Sequence, residues 1–189
     1  MQVSFLDENG PALIFPKMFI DERGYFFESF NEKEFKEKVG DVNFVQDNES
    51  RSSFGVLRGM HFQKGEHAQA KLVRVVKGSV IDVVIDIRPD SPNYKKIYAV
   101  YLSEENHRQF FVPKGFAHGF MSLSNDTIFQ YKCDNFYNKE SEGAIFAFDA
   151  TLNIQWQSWI DASQIVMSEK DLNNKTFEEY EKEINVDEQ

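Results

Sequence analysis

Across residues 42–148, apolar and polar side chains alternate in short runs broken by Gly, Pro, Asn and Ser. The clearest runs are Lys71–Lys77, 79–88, 97–102, Gln109–Val112, 119–123 and 127–134, and each predicts a β-strand. Gly78 separates two of them, which predicts a tight hairpin or a bulge there. All five prolines fall before or between the runs, where a missing N–H removes no ladder bond. The one helical signal in the first half is 31–39, where Asn31 and Glu34 form a capping-box-like start and Gly40 supplies a stop. Many short strands without intervening helices predict a barrel or sandwich and argue against βαβ units.

A period of two decides which side chains share a face. In Lys71–Lys77 one face carries Lys71, Val73, Val75 and Lys77. In 127–134 one face carries Thr127, Phe129, Tyr131 and Cys133, an interior wall with a phenol emerging from it. After Trp159 the chain turns polar, and the acidic stretch 177–189 is expected to be a surface helix or frayed end with no function.

Composition narrows the function classes. With 189 residues the chain suits one domain, whose core is expected over about 15–172. The net charge of −10 argues against a general nucleic-acid binder, yet leaves room for a few arginines gathered around a small anionic ligand. Nineteen Phe residues supply ample core area. One cysteine, Cys133, excludes an internal disulfide. The start lacks a signal-peptide pattern and no run approaches the roughly 20 apolar residues of a membrane span. A cytoplasmic protein with no membrane partner is therefore expected.

Three clusters carry candidate chemistry: residues 21–28, residues 57–63 with 69–74, and residues 112–120. The last contains Pro113-x-Gly115-x-x-His118, the later of the two signatures of cupin barrels. A metal cupin would show His-x-His and then Glu in its earlier signature, but here the segment reads His61-x-Gln63 and the next ionisable strand residue is Lys71. An amide is a poor ligand for Fe, Mn or Zn, and an ammonium repels a cation, so no metal is expected.

Several motifs in order resemble the dTDP-4-dehydrorhamnose 3,5-epimerases. They include Arg23-Gly24-Tyr25-Phe26-Phe27-Glu28, Phe44-Val45-Gln46-Asp47-Asn48, Leu57-Arg58-Gly59-Met60-His61-Phe62-Gln63, Phe116-Ala117-His118-Gly119-Phe120 and Ser168-Glu169-Lys170-Asp171. The resemblance implies an all-β, cupin-type antiparallel barrel or jelly roll with a few short peripheral helices, acting as a homodimer with N-terminal strands exchanged. It implies epimerisation at C3 and C5 of a dTDP-linked 4-keto-6-deoxy sugar. Both carbons adjoin the C4 ketone, so either proton leaves through an enolate without a cofactor. His61 is the candidate base, with Asp171 as its partner; Tyr131 is the candidate acid and Lys71 the enolate stabiliser. Arg23 and Arg58 match diphosphate and nucleotide contacts, as forked guanidinium groups suit. Glu28, Gln46 and Asn48 match nucleoside contacts, Tyr137 a stacking position, and His118, Glu142 and Lys170 further substrate contacts.

Some features qualify that reading. The segments 147–152 and 156–166 depart from the family, the first expected at the barrel mouth, the second bearing on the His61–Asp171 pair. Arg58 and His61 are separated by an odd number, so a straight strand would send them to opposite faces; a bulge at Gly59 is predicted. A 3-only or 5-only epimerase, a sugar-nucleotide-binding cupin without turnover, and a metal-dependent oxygenase remain as rivals.

Overall fold

The computed structural model describes residues 1–187, and thirteen strands dominate it. They are β1 (Gln2–Phe5), β2 (Ala12–Phe15), β3 (Phe19–Asp21), β4 (Gly24–Phe26), β5 (Gln46–Ser52), β6 (Leu57–Gln63) and β7 (Lys71–Lys77). The rest are β8 (Ser79–Asp86), β9 (Ile97–Ser103), β10 (Gln109–Val112), β11 (Phe116–Ser122), β12 (Thr127–Cys133) and β13 (Glu142–Ala144). Three helices lie outside them: α1 (Glu32–Lys38), α2 (Glu169–Leu172) and α3 (Phe177–Asp187). Among the described residues no helix is long and apolar enough to cross a membrane.

Two antiparallel sheets face each other in the expected jelly-roll manner. One has the order β1-β2-β10-β7-β12-β5, the other β13-β6-β11-β8-β9, and β3-β4 forms a separate hairpin. Strand alternation sets the layers. Val73, Val75, Phe110 and Phe129 from the first sheet pack against Val80, Val84, Phe116 and Phe120 from the second. Phe120 and Phe129 stack across the gap at 4.1 Å. The outer face of the larger sheet is closed by α1 through Phe35, and the outer face of the smaller by the chain after Ile145.

Sequence features explain the turns. The Asn31 side chain accepts the Glu34 N–H at 3.1 Å, so α1 starts where the capping pattern put it. Gly78 has φ +81°, and a Cβ there would stand 2.2 Å from Ser124 Oγ, which only glycine avoids in the β7–β8 turn.

The C-terminal stretch forms a helix, one of the two expected outcomes, but one side of it is packed into the core. Phe177 and Tyr180 are buried, and the Tyr180 ring meets Phe62 edge-on at 5.3 Å. Glu178 and Glu179 lie on the outer side of an amphipathic helix whose other side completes the core. Ala12 and Ile14 are buried too, so the core extends past 15–172 at both ends. Residues 188–189 of the acidic stretch lie outside the described residues. Segment 147–152 packs beneath the smaller sheet rather than at the mouth: Ala147 and Leu152 join the outer core, and Asp149 accepts from the Phe177 N–H at 2.9 Å.

Candidate active site

The site begins with an irregularity in β6. His61 pairs with His118 and Arg58 with Phe120, so three steps on β6 match two on β11. The extra residue puts Leu57 and Met60 into the outer core and leaves Arg58 and His61 together on the interior face. Glycine is required at the crossing. A Cβ on Gly59 (φ +145°) would lie 2.6 Å from the Gly119 Cα, and one on Gly119 would lie 2.7 Å from the Arg58 carbonyl oxygen. The bulge expected from the odd spacing is present.

His61 Nε2 lies 2.8 Å from Asp171 Oδ1. Asp171 sits in the first turn of α2, where Ser168 does two things: its Oγ accepts the Asp171 N–H at 3.1 Å, and it donates to Asp171 Oδ2 at 2.9 Å. Burial pushes the Asp171 carboxyl up, but the hydrogen bond and charge of His61, with Ser168 and Asn174, hold it below the ordinary value. The other ring nitrogen, His61 Nδ1, is buried without a hydrogen-bond partner. The departure at 156–166 does not disturb the pair. Two short 3₁₀ turns occupy this segment, and Leu57 N–H donates to the Val166 carbonyl at 2.9 Å before the chain enters α2.

Lys71 and Tyr131 occupy the facing sheet. Cys133 and Tyr131 pair with Lys71 and Val73 on one side and with Gln46 and Asn48 on the other. Lys71 Nζ stands 6.0 Å from the Tyr131 ring centre. A chain of rings spans the two sheets: His118 to Phe129 at 6.2 Å, then Phe129 to Tyr131 at 6.2 Å. Burial raises the Tyr131 phenol, with Cys133 adding to the shift and Arg58 opposing it. Burial lowers the Lys71 ammonium, with Cys133 and Asp82 opposing that.

Around the rim, Lys170 Nζ donates to Glu142 Oε1 at 2.7 Å and Tyr137 Oη to Glu142 Oε2 at 3.2 Å. The Tyr137 N–H donates to Gln46 Oε1 at 3.3 Å, and Gln46 Nε2 to Asn48 Oδ1 at 3.0 Å. Burial pushes the Glu142 carboxyl up, but Lys170 and Tyr137 bring it below its ordinary value. Arg58 Nε donates to Ser52 Oγ at 3.2 Å, leaving the exposed fork with spare donors at the mouth.

Two expected contacts are not brought to this place within one chain. Arg23 lies on the exposed β3–β4 hairpin, paired with Asp21. Glu28 accepts from Asn31 Nδ2 at 3.2 Å beside α1. Sequence reasoning also missed Asp82, which is fully buried with both oxygens within 3.0 Å of His118 Nε2. Its signal was there: Asp82 interrupts the apolar run from Val80 to Ile85. Among the described residues no three His, Cys, Asp or Glu side chains converge as metal ligands would. The arrangement offers acid–base chemistry: a histidine–carboxylate pair on one sheet, a neutral phenol and an ammonium on the other.

Comparison with known proteins gives the same direction. Residues 7–179 match the family profile described as dTDP-4-dehydrorhamnose 3,5-epimerase. The dTDP-4-dehydrorhamnose 3,5-epimerase of Shigella flexneri is 52% identical over 168 residues, 88% of this chain and 91% of that protein. The crystal structure of the enzyme of that name from Elizabethkingia anophelis NUHP1 is 50% identical with a TM-score of 0.86, covering 94% of this chain and 97% of that one. An epimerase from Legionella pneumophila, solved with dTDP-4-keto-L-rhamnose, is 44% identical with a TM-score of 0.86, covering 93% and 92%.

Proposed function

The chain belongs to the dTDP-4-dehydrorhamnose 3,5-epimerase family and is an isomerase of that kind, and from this premise we propose that His61, Lys71 and Tyr131 carry the reaction between them. The substrate is dTDP-4-dehydro-6-deoxy-D-glucose and the product dTDP-4-dehydro-L-rhamnose. With the Nε2 proton held toward Asp171, the imidazole keeps its lone pair on Nδ1, and the resulting imidazolium finds a counter-charge beside it. The proton leaves C3 or C5, its electrons pass onto the C4 oxygen, and the Lys71 ammonium stabilises that oxygen. Tyr131, kept protonated by its raised pKa, returns a proton to the carbon from the facing sheet and so inverts it. The ketone itself acidifies both carbons, so this route uses neither an organic cofactor nor a metal.

Arg58 binds diphosphate oxygens, Tyr137 stacks on the thymine, and Gln46, Asn48, Glu142, Lys170 and His118 orient the remainder. Arg23 and Glu28 serve through a homodimer. The β3–β4 hairpin exposes Phe19, Ile20, Tyr25 and Phe26 by 52–79%, more apolar surface than a free arm keeps in water. Cavities of about 240 and 360 Å³, both bordered by Ser29, Leu72 and Gln109, line the outer side of the larger sheet where a partner's arm would rest. The compartment in this reading is the cytoplasm, where a lone thiol such as Cys133 stays reduced.

The observation that carries the reading is the placement of the His61–Asp171 pair and the Tyr131 phenol on opposing sheets of one sandwich. Turnover of dTDP-4-dehydro-6-deoxy-D-glucose in deuterium oxide tests it, with NMR of the product. Label is expected at both C3 and C5. Label at one carbon alone makes the chain a single-carbon epimerase, and nucleotide-sugar binding without label makes it a binding protein.

A further inference from the structure

The interior holds a buried carboxyl group for which the reaction above has no use. Asp82 lies in β8, a strand of the smaller sheet buried at all but its first residue, and has no solvent exposure. A carboxylate in such a place is costly unless something answers its charge. His118 answers part of it, with Nε2 at 2.9 and 3.0 Å from the two oxygens. Lys71 faces the same interior from β7, where its ammonium is itself removed from water.

We propose that Asp82 is a positioning residue of the active site, the buried counter-charge that keeps Lys71 an ammonium and holds the His118 ring in place. The proposal rests on the reading of Lys71 as enolate stabiliser, since a neutral amine would lose that role.

The groups facing Lys71 decide why Asp82 has this task. On β12 stand Cys133 and Tyr131, on β11 His118, on β6 His61 and Arg58, and on β8 Asp82. Burial raises both the Cys133 thiol and the Tyr131 phenol, so neither is an anion at neutral pH. The histidines and the arginine supply no negative charge. Asp171 is engaged by His61. Among these groups Asp82 is left as the carboxylate able to offset the desolvation that lowers Lys71.

The test compares the wild type with Asp82→Asn, which keeps the size and a hydrogen bond to His118 but removes the charge. Deuterium exchange at C3 and C5 of dTDP-4-dehydro-6-deoxy-D-glucose is followed against pH. The alkaline limb of kcat/KM is expected to move down by about 1–3 pH units. Activity above that limb falls by up to about tenfold per unit and returns as the pH is lowered. A uniform fall with an unmoved limb gives Asp82 a merely structural role and overturns the proposal. Independently of turnover, NMR of the Lys71 side chain in protein carrying ¹³C at lysine Cε should show the same downward move in the resting variant. An unchanged Lys71 titration overturns the proposal whatever the activity, whereas a moved titration in a protein that exchanges neither carbon overturns the catalytic reading alone. Should Asp82→Asn fail to fold, Lys71→Met reports the coupling from its other end. Reciprocity requires the Asp82 carboxyl to titrate higher in that variant, and an unmoved Asp82 also refutes the proposal.

Discussion

Asp171 is the residue on which the proposed base depends, and its surroundings say how. Ser168 and Asn174 hold the carboxylate from the α2 side while His61 takes the remaining direction at 2.8 Å. Asp171→Asn keeps the shape but removes the charge that an imidazolium needs, so exchange at both carbons should fall about 10²–10⁴-fold while dTDP still binds. Exchange kinetics alongside dTDP titration check this, and unchanged exchange would strike Asp171 from the mechanism. The folded carboxyl titrates below its ordinary value of 3.8, so the unfolded chain takes up the proton first as pH falls. Stability from this group is therefore complete well above pH 3.8 and drains away through and below it. In urea unfolding between pH 3 and pH 6, the Asn variant should lose less stability on acidification than the wild type. At this scale the sequence was informative wherever a side chain has one job. Tyr131 stood out because a polar group on an apolar strand face needs a reason, whereas His61 and Lys71 were singled out through the family motifs that contain them. Ser168 did not, since capping a helix and gripping a carboxylate look identical in a string of letters.

Between residue and molecule stands the β6 bulge, an element whose function is to bring two side chains onto one face. Gly59→Ala would place a Cβ 2.6 Å from the Gly119 Cα, against backbone that has no side chain to swing aside, at a φ of +145° that L-residues avoid. A cost of about 1–3 kcal/mol is expected from the strained conformation. The displaced strand should also lower exchange more than tenfold, because Arg58 and His61 move with it. A urea midpoint equal to that of the wild type would show the crossing to be looser than described. The parity of positions 58 and 61 made this bulge legible before any coordinates. Strand β5 was not legible in the same way. Gln46, Asn48, Ser50 and Ser52 form one of its faces and Asp47, Glu49 and Arg51 the other, so no apolar alternation marks it. Only the ladder to β12 makes it a strand. Helix α3 misled for the opposite reason: its negative charge conceals the i, i+3 pair of Phe177 and Tyr180 that holds it down.

At the level of the whole molecule, one chain holds the proposed acid, base and cation but leaves Arg23 on an exposed arm, turned to Asp21 rather than toward His61. A two-fold dimer with exchanged hairpins would bring each arm to the other subunit's site, since isologous contacts come in pairs. That arrangement has a consequence that a monomer or an unexchanged dimer cannot imitate. Take two variants, His61→Ala with an intact arm and Arg23→Ala with intact chemistry, each nearly inactive alone. In a mixed dimer, the site built on the Arg23→Ala core receives the sound arm of the His61→Ala chain and is complete, while the other site carries both defects. Random re-pairing of equal amounts puts half the dimers in mixed form, so about one site in four becomes native. Activity of the re-paired mixture should therefore climb to about a quarter of the wild-type value per subunit, measured as deuterium incorporation after dissociation and reassembly. If each arm serves its own chain, the mixture stays at the average of its two parents, and the role of the exposed aromatic hairpin must be sought elsewhere.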